Sequence, residues 1–95
     1  MKGKPQTIPT DEDIQTAVLD IVARRGLESS ACPSEVARQL QADNWHALMP
    51  RVREVAARLA LDGKIRVTQR GVVLPPTQPW TGPIRLRLVP INFEP

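Results

Sequence analysis

Residues 32–74 have the sequence CPSEVARQLQADNWHALMPRVREVAARLALDGKIRVTQRGVVL, in which four successive segments each carry their own pattern. A short helix is predicted from Pro33, because proline suits the first helical position and Glu35 can reach back to the backbone N–H of the Cys32 cap. A turn over residues 41–44, a longer helix and a basic hairpin follow. This order predicts a mainly α fold with a small β-hairpin, a winged helix-turn-helix of three helices plus a wing.

The longer helix, the third of the predicted fold, runs from near Trp45 to a stop at Asp62 and Gly63. Pro50 conflicts with an unbroken helix, because proline lacks an N–H and its ring crowds the carbonyl four residues earlier. We therefore expect a kink, or a one-turn helix that ends near Met49 and restarts at Pro50. The apolar residues share one face at 100° per residue, which predicts a core face of Trp45, Leu48, Met49, Val52, Val55, Ala56 and Leu59.

The segments before and after this stretch complete the predicted fold. Thr10 is a hydroxyl cap for a first helix that ends at Gly26, and a minimal first strand is expected at residues 29–32. The apolar positions of the first helix have core spacing, namely Ile14, Ala17, Val18, Ile21 and Val22. The predicted organisation is a tail at 1–9, a winged-helix domain at 10–75, a Pro-rich connector at 76–83, a strand packed on the domain at 84–89, and a tail at 90–95.

The basic hairpin begins with a half-buried strand over residues 64–68, in which apolar and polar residues alternate. Its turn is predicted at Gln69, Arg70 and Gly71, since glycine adopts positive φ readily. Residues 72–74 return as the second strand.

Length and composition exclude several classes of protein. A chain of 95 residues has room for one core, and it contains no apolar run long enough to cross a membrane and no signal-peptide pattern. We therefore expect a cytoplasmic protein without a membrane partner. The single cysteine, Cys32, can form neither an intramolecular disulfide nor a thiolate zinc site, and we expect no metal or other cofactor.

Charge is distributed unevenly along the chain. Residues 1–43 contain five basic and seven acidic residues, whereas residues 44–95 contain eight basic and three acidic ones. The basic half holds the segments that a winged helix presents to DNA, which favours nucleic-acid binding. A solvated basic surface gives the same count, so both interpretations stay open.

The third helix offers Arg51 and Arg58 as candidate DNA-binding residues. They lie seven residues apart on the side away from the core, where a recognition helix meets phosphates and base edges. The alternative is that both form surface ion pairs with Glu54, which would also repel a phosphate backbone. Arg53 and His46 lie on another flank and are interpreted as solvated residues.

The hairpin and the last strand offer a second set of basic residues. Lys64, Arg66 and Arg70 are candidate DNA contacts of the wing, although basic residues there also deter edge-to-edge pairing of strands. Arg85 and Arg87 are predicted to share one strand face. They are candidate anion-binding residues together with the N–H groups after Gly82, or simply a solvated face.

Three other side chains have both a chemical and a structural interpretation. Cys32 at a helix N-terminus is the only candidate nucleophile, but His46 lies in another segment with no orienting carboxylate, so a structural thiol is favoured and catalysis is not expected. Tryptophan rings stack on bases in other proteins, which makes Trp45 and Trp80 candidates for base stacking. The position of Trp45 on the apolar face favours a core role instead.

Several separated motifs follow one another along the chain: residues 32–38 (CPSEVAR), Trp45 with Leu48-Met49, Val52-Arg53, Gly63-Lys64-Ile65, Thr68-Gln69-Arg70-Gly71, and residues 82–87 (GPIRLR). In this order they resemble a family of bacterial domains, domain of unknown function 3253, over about residues 11–88. The resemblance implies a small winged-helix-like domain and brings no proven activity. Some members carry an additional Cys-rich, zinc-type N-terminal segment that is not found in this sequence. Trp45 is usually followed by arginine in the family, so a role for that charge is not carried over to His46.

The sequence therefore predicts a non-enzymatic domain that binds double-stranded DNA, as a regulator or as a general DNA binder. Arg51 and Arg58 of the third helix and Lys64, Arg66 and Arg70 of the wing would contact the DNA. The alternative is a protein-interaction module, which an exposed apolar patch around Leu27, Leu61, Trp80 or Phe93 would favour.

Overall fold

A computed structural model of the chain describes residues 8–77 and 79–90. Most of the predicted tails, including Phe93, lie outside the described residues. The described part contains three α-helices, one 3₁₀ helix and three strands: α1 Asp11–Arg25, α2 Pro33–Leu40, the 3₁₀ helix Trp45–Leu48, α3 Met49–Leu61, β1 Ile65–Gln69, β2 Val72–Val73 and β3 Arg85–Leu88. No helix within this part is long and apolar enough to span a membrane.

Helix α1 begins where its sequence predicts. The Thr10 hydroxyl accepts a hydrogen bond from the Asp13 N–H at 3.1 Å, and the Thr10 N–H donates to the Asp13 carboxylate at 2.9 Å. This reciprocal capping box satisfies two backbone donors at the helix start. The five predicted core residues of α1 are all buried, which confirms the first helix and its face.

Helix α2 has the predicted bounds and start. Pro33 occupies the first turn, and the Cys32 N–H donates to Glu35 Oε2 at 3.3 Å. Val36 and Ala37 are fully buried, whereas Leu40 is half-buried at the edge of the core.

Pro50 divides the next helical region into two parts, as expected. The 3₁₀ helix ends at Leu48 and α3 begins at Met49, so the missing N–H of Pro50 falls in the first turn of α3, where no intrahelical partner is needed. The predicted core face is buried at Leu48, Val52, Val55, Ala56 and Leu59, while Trp45 and Met49 are only half-buried.

The sheet differs from the predicted two-stranded wing, because it has three antiparallel strands in the order β2-β1-β3. Strand β1 pairs with β3 over four residues, from Ile65↔Leu88 to Thr68↔Arg85, but with β2 over only two. The turn between β1 and β2 is shorter than predicted. It consists of Arg70 and Gly71, both at positive φ (52° and 82°), while Gln69 pairs with Val72.

Strand β3 pairs with β1 on one side, forms a single bridge to Ala31 on the other, and closes the core. Leu86 exchanges two backbone hydrogen bonds with Ala31, at 2.9 and 2.7 Å, so the predicted first strand is reduced to this one bridge. Ile84, Leu86, Ile65 and Val67 are buried against the helices. Three helices over a small antiparallel sheet, with a long connection from β2 to β3, are consistent with a winged helix-turn-helix.

The Pro-rich connection folds back onto the helices. Trp80 is half-buried and packs against the core, and its indole N–H donates to the Pro75 carbonyl at 2.9 Å. This contact between two positions of the connection restrains its path next to α3.

Candidate nucleic-acid interface

The flank of α3 that faces α1 holds the two basic residues predicted for the third helix. Arg51 and Arg58 both donate to the carboxylate of Asp11, at 2.8 and 3.0 Å. These hydrogen bonds, from Arg51 first and then from Arg58, lower the pKa of Asp11. The partner of both arginines is therefore Asp11, whereas the sequence suggested Glu54.

The outer ridge of α3 is the part of that helix farthest from the core. At 100° per residue it consists of Pro50, Glu54, Ala57 and Leu61, and the Leu61 side chain is 62% exposed. This ridge contains one carboxylate and no cation. Arg58 lies beside it and is directed towards α1 by Asp11.

Arg53 lies on the opposite flank of α3 and is not simply a solvated residue. Its guanidinium donates to the carbonyls of Trp80 and Gly82, at 2.9 and 2.7 Å, and so ties the Pro-rich connection to the helix. His46 is exposed as expected, and its ring stacks on Trp45 with centroids 3.6 Å apart. Arg38 lies 4.8 Å from the Trp45 ring centroid, in range for a cation–π contact.

The outer face of the sheet carries three arginines. Arg66 and Arg87 are register partners on β1 and β3, so their side chains leave the same face of the sheet. Arg85 lies on this face two residues before Arg87. The opposite face carries Val67 and Leu86, which are buried. We call Arg66, Arg85 and Arg87 the sheet arginines.

Arg66 and Arg87 form an unfavourable pair, because like charges directly opposite in a sheet repel each other. Among the described residues, neither of them takes part in an ion pair or a side-chain hydrogen bond. Arg66 is exposed and Arg87 half-buried. The two guanidinium groups are therefore available to an anion.

Lys64 and Arg70 extend the positive charge to both ends of β1. Both side chains are exposed and, within the described part of the chain, neither has a carboxylate partner. Arg70 has a φ of 52°, a conformation that arginine adopts rarely. Its exposed side chain offers no packing that would explain arginine at this position.

Arg85 is held by the segment that precedes α2. Its Nε donates to Ser30 Oγ at 2.8 Å and its Nη2 donates to the Ser30 carbonyl at 3.1 Å. Arg70 and Arg85, with Gln69, Gly82 and Pro83, line a cleft of about 420 Å³ beside the turn of the wing. Arg87 does not line this cleft, and Pro83 has no N–H to offer after Gly82, so the predicted anion-binding pair is divided between two places.

The network around Ser30 was not predicted from the sequence. The Ser30 carbonyl also accepts from Arg25 at 2.9 Å, and Arg25 forms an ion pair with Glu35. Burial opposes the charge of Glu35, but the hydrogen bonds from Arg25 and from the Cys32 N–H outweigh it and lower the pKa of Glu35. The basic last turn of α1 and the acidic third position of α2 were the only sequence signals for this contact.

Cys32 is the residue that precedes the first turn of α2. It is half-buried, and its Sγ lies 3.0 Å from Ser34 Oγ in a hydrogen bond. Within residues 8–77 and 79–90, no three His, Cys, Asp or Glu residues form a group that could hold a metal ion.

Comparison with known proteins gives a family but no activity. Residues 11–89 match the model of a family described as "Protein of unknown function (DUF3253)". No curated protein matches the chain. Any function must therefore be inferred from the arrangement of the residues themselves.

Proposed function

The chain belongs to the DUF3253 family, and we propose that it binds double-stranded DNA without catalysing a reaction, mainly through the outer face of the sheet and the wing. The observation that carries this proposal is the pair formed by Arg66 and Arg87. Two like charges in register weaken a sheet, whereas a phosphate between them would convert the repulsion into two charge-assisted hydrogen bonds.

Two more cations support the same surface. Lys64 and Arg70 lie at the two ends of β1 and, with Arg66 and Arg87, make four cations on this surface that have no ion pair or side-chain hydrogen bond among the described residues. A row of cations favours contact with the DNA backbone, which positions a protein without reading base sequence. This arrangement of cations favours a general DNA binder over a protein that recognises one operator sequence.

The third helix is proposed as the lesser contributor. Its outer ridge carries Glu54, and Asp11 binds both Arg51 and Arg58 and neutralises one of their two charges. The sequence-based prediction that these two arginines contact DNA stays a prediction. A cytoplasmic location and a bacterial origin would agree with DNA as the partner and are proposed with it.

The proposal is tested by fluorescence anisotropy of a mixed-sequence duplex titrated with the protein at several salt concentrations. If four phosphates are neutralised, a plot of log K against log[salt] should have a slope of roughly −3 to −4. Arg66→Gln should reduce the magnitude of the slope by about 1 and weaken binding roughly tenfold at ~0.1 M salt.

The matched control is Arg24→Gln, which removes one positive charge from α1. Arg24 is exposed and paired with Asp20, so its loss should change the affinity less than about twofold. Equal effects of the two substitutions would mean that only net charge matters. Absence of binding at low salt by a folded protein would refute the proposal.

Protein binding is the second candidate, and the outer ridge of α3 is the observation in its favour. Pro50, Glu54 and Ala57 line one side of a groove of about 410 Å³, and Pro76 and Trp80 lie on the other side. Leu27 and Leu61, two of the residues named for this alternative, are exposed, at 54% and 62%. If no duplex binds, pull-downs with the wild type and with Ala57→Lys in parallel should show a partner that the variant loses.

A further inference from the structure

The cleft beside the turn of the wing has the features of an anion site. Arg70 and Arg85 are its two cationic lining residues, and the remaining lining residues are Gln69, Gly82 and Pro83. Its volume of about 420 Å³ is in the range of small-ligand sites. No carboxylate lines it, and the nearest described acidic group that interacts with Arg85, Glu35, is already paired with Arg25.

Hydrogen bonds within the fold fix the shape of the cleft. Gln69 Nε2 donates to the carbonyls of Thr81 and Pro83, at 2.6 and 2.9 Å, and so joins the end of β1 to the end of the Pro-rich connection. Gly82 lies against this amide, since a Cβ at Gly82 would be 3.4 Å from Gln69 Nε2. One wall of the cleft is therefore formed before any ligand binds.

The contacts of Arg85 orient its guanidinium group but do not occupy all of its N–H donors. Ser30 accepts from its Nε and from one N–H of Nη2, and among the described residues the two N–H groups of Nη1 have no partner. A guanidinium has five donors in a planar fork, which suits the oxygens of a phosphate. The bonds to Ser30 lower the entropy that Arg85 would lose on binding.

Arg70 lies beside the cleft in an unfavourable backbone conformation. The two-residue turn forces it to positive φ, where asparagine or glycine is the usual choice. Strain at an exposed position that no packing explains is typical of a residue retained for binding.

We propose that the cleft between Arg70 and Arg85 binds one phosphate group, as a monoester or a diester. This inference rests on the proposed function only for the source of the phosphate, which would be a backbone phosphodiester of DNA. Inorganic phosphate and duplex DNA therefore serve as separate probes.

The first experiment is an NMR titration of the full chain with inorganic phosphate, with chloride at matched ionic strength as the blank. The backbone amides of residues 69–71 and 85 and the Gln69 side-chain amide should shift and saturate in phosphate but not in chloride. Uniform shifts, or identical shifts in the two salts, would overturn the proposal.

Variants separate binding from structure. Arg70→Asn suits the positive φ, so its thermal midpoint should rise while the phosphate-induced shifts are lost. Arg85→Lys keeps the charge but not the fork, and it should weaken phosphate binding severalfold. Arg24→Gln should change neither readout. Full phosphate binding by Arg70→Asn would refute the site.

The duplex experiment distinguishes the two proposals. Duplex binding that falls with Arg66→Gln but not with Arg70→Asn would overturn the assignment of the cleft's phosphate to DNA and leave DNA binding by the sheet intact. Phosphate binding in the cleft without any duplex binding would support the site, assign it to a free phosphate or phosphomonoester, and refute the DNA proposal.

Discussion

Two pairs of arginines on this molecule have opposite electrostatic surroundings. On the flank of α3, Arg51 and Arg58 bind one carboxylate, that of Asp11, and so their charges help to hold α3 against α1. On the sheet, Arg66 and Arg87 are register partners, and no described carboxylate pairs with either of them. The comparison shows that the availability of a cation depends on its neighbours in the fold, which the number of arginines in a segment does not reveal.

The largest expected effect comes from giving Arg66 a carboxylate partner, as Arg51 and Arg58 have in Asp11. Arg87→Glu would place a carboxylate opposite Arg66, remove one cation and neutralise another. Duplex affinity should fall roughly 100-fold at ~0.1 M salt, because each lost phosphate contact is worth about tenfold. The new cross-strand ion pair should stabilise the fold by about 0.2–1 kcal/mol, which raises the thermal midpoint by roughly 1–6 °C.

Anisotropy and thermal melting of the same preparation check this prediction. Arg24→Glu changes the net charge equally at a distant surface and is the control for nonspecific electrostatics. If the Arg87→Glu variant melted at a lower temperature than the wild type, Arg87 would have a stabilising role. An unchanged duplex affinity would remove the sheet from the proposed interface.

The next effect in size concerns Arg51 and Arg58 on α3. Arg51→Gln and Arg58→Gln should each lower the duplex affinity less than about threefold, because Asp11 holds both guanidinium groups and neutralises one of their two charges in the free protein. The same titration as for the sheet variants measures this, at identical salt. A loss of tenfold or more in either variant would instead identify α3 as the DNA-contacting element, as the sequence predicted.

Local patterns in the sequence were sufficient for most of the helical part of the fold. The Thr10 capping box, the start of α2 at Pro33 and the break at Pro50 are each determined by residues within four positions of one another. Such short-range features depend on backbone donors and side-chain reach alone. For this reason their prediction did not require knowledge of the tertiary structure.

The contacts that define the candidate site join distant parts of the chain. Asp11 lies 40 and 47 residues before its two arginine partners, and Arg85 lies 55 residues after Ser30. The pairing of Arg66 with Arg87 depends on the register of β1 with β3, across a connection whose course is not evident from its composition. The sequence indicated which residues were basic, but the available and the compensated cations are distinguished only by the fold.

The smallest expected effect is the pH dependence of the contact at Asp11. The hydrogen bonds from Arg51 and Arg58 lower the pKa of this carboxyl in the folded chain below its ordinary value of 3.8. A carboxyl with a lowered pKa stabilises the fold fully above its unfolded-state value, and this contribution is lost as the pH falls through the folded-state pKa.

The difference in thermal midpoint between the wild type and Asp11→Asn should therefore be constant from about pH 7 to 5 and should shrink below about pH 4. Circular dichroism melts over this range measure it, and Glu35, which is present in both proteins, cancels from the difference. A gap that does not shrink between about pH 5 and 2.5 would mean that the contact does not depend on the carboxylate charge. In that case Asp11 would hold α3 by hydrogen bonding alone, and the positive charges of Arg51 and Arg58 would not be offset at this contact.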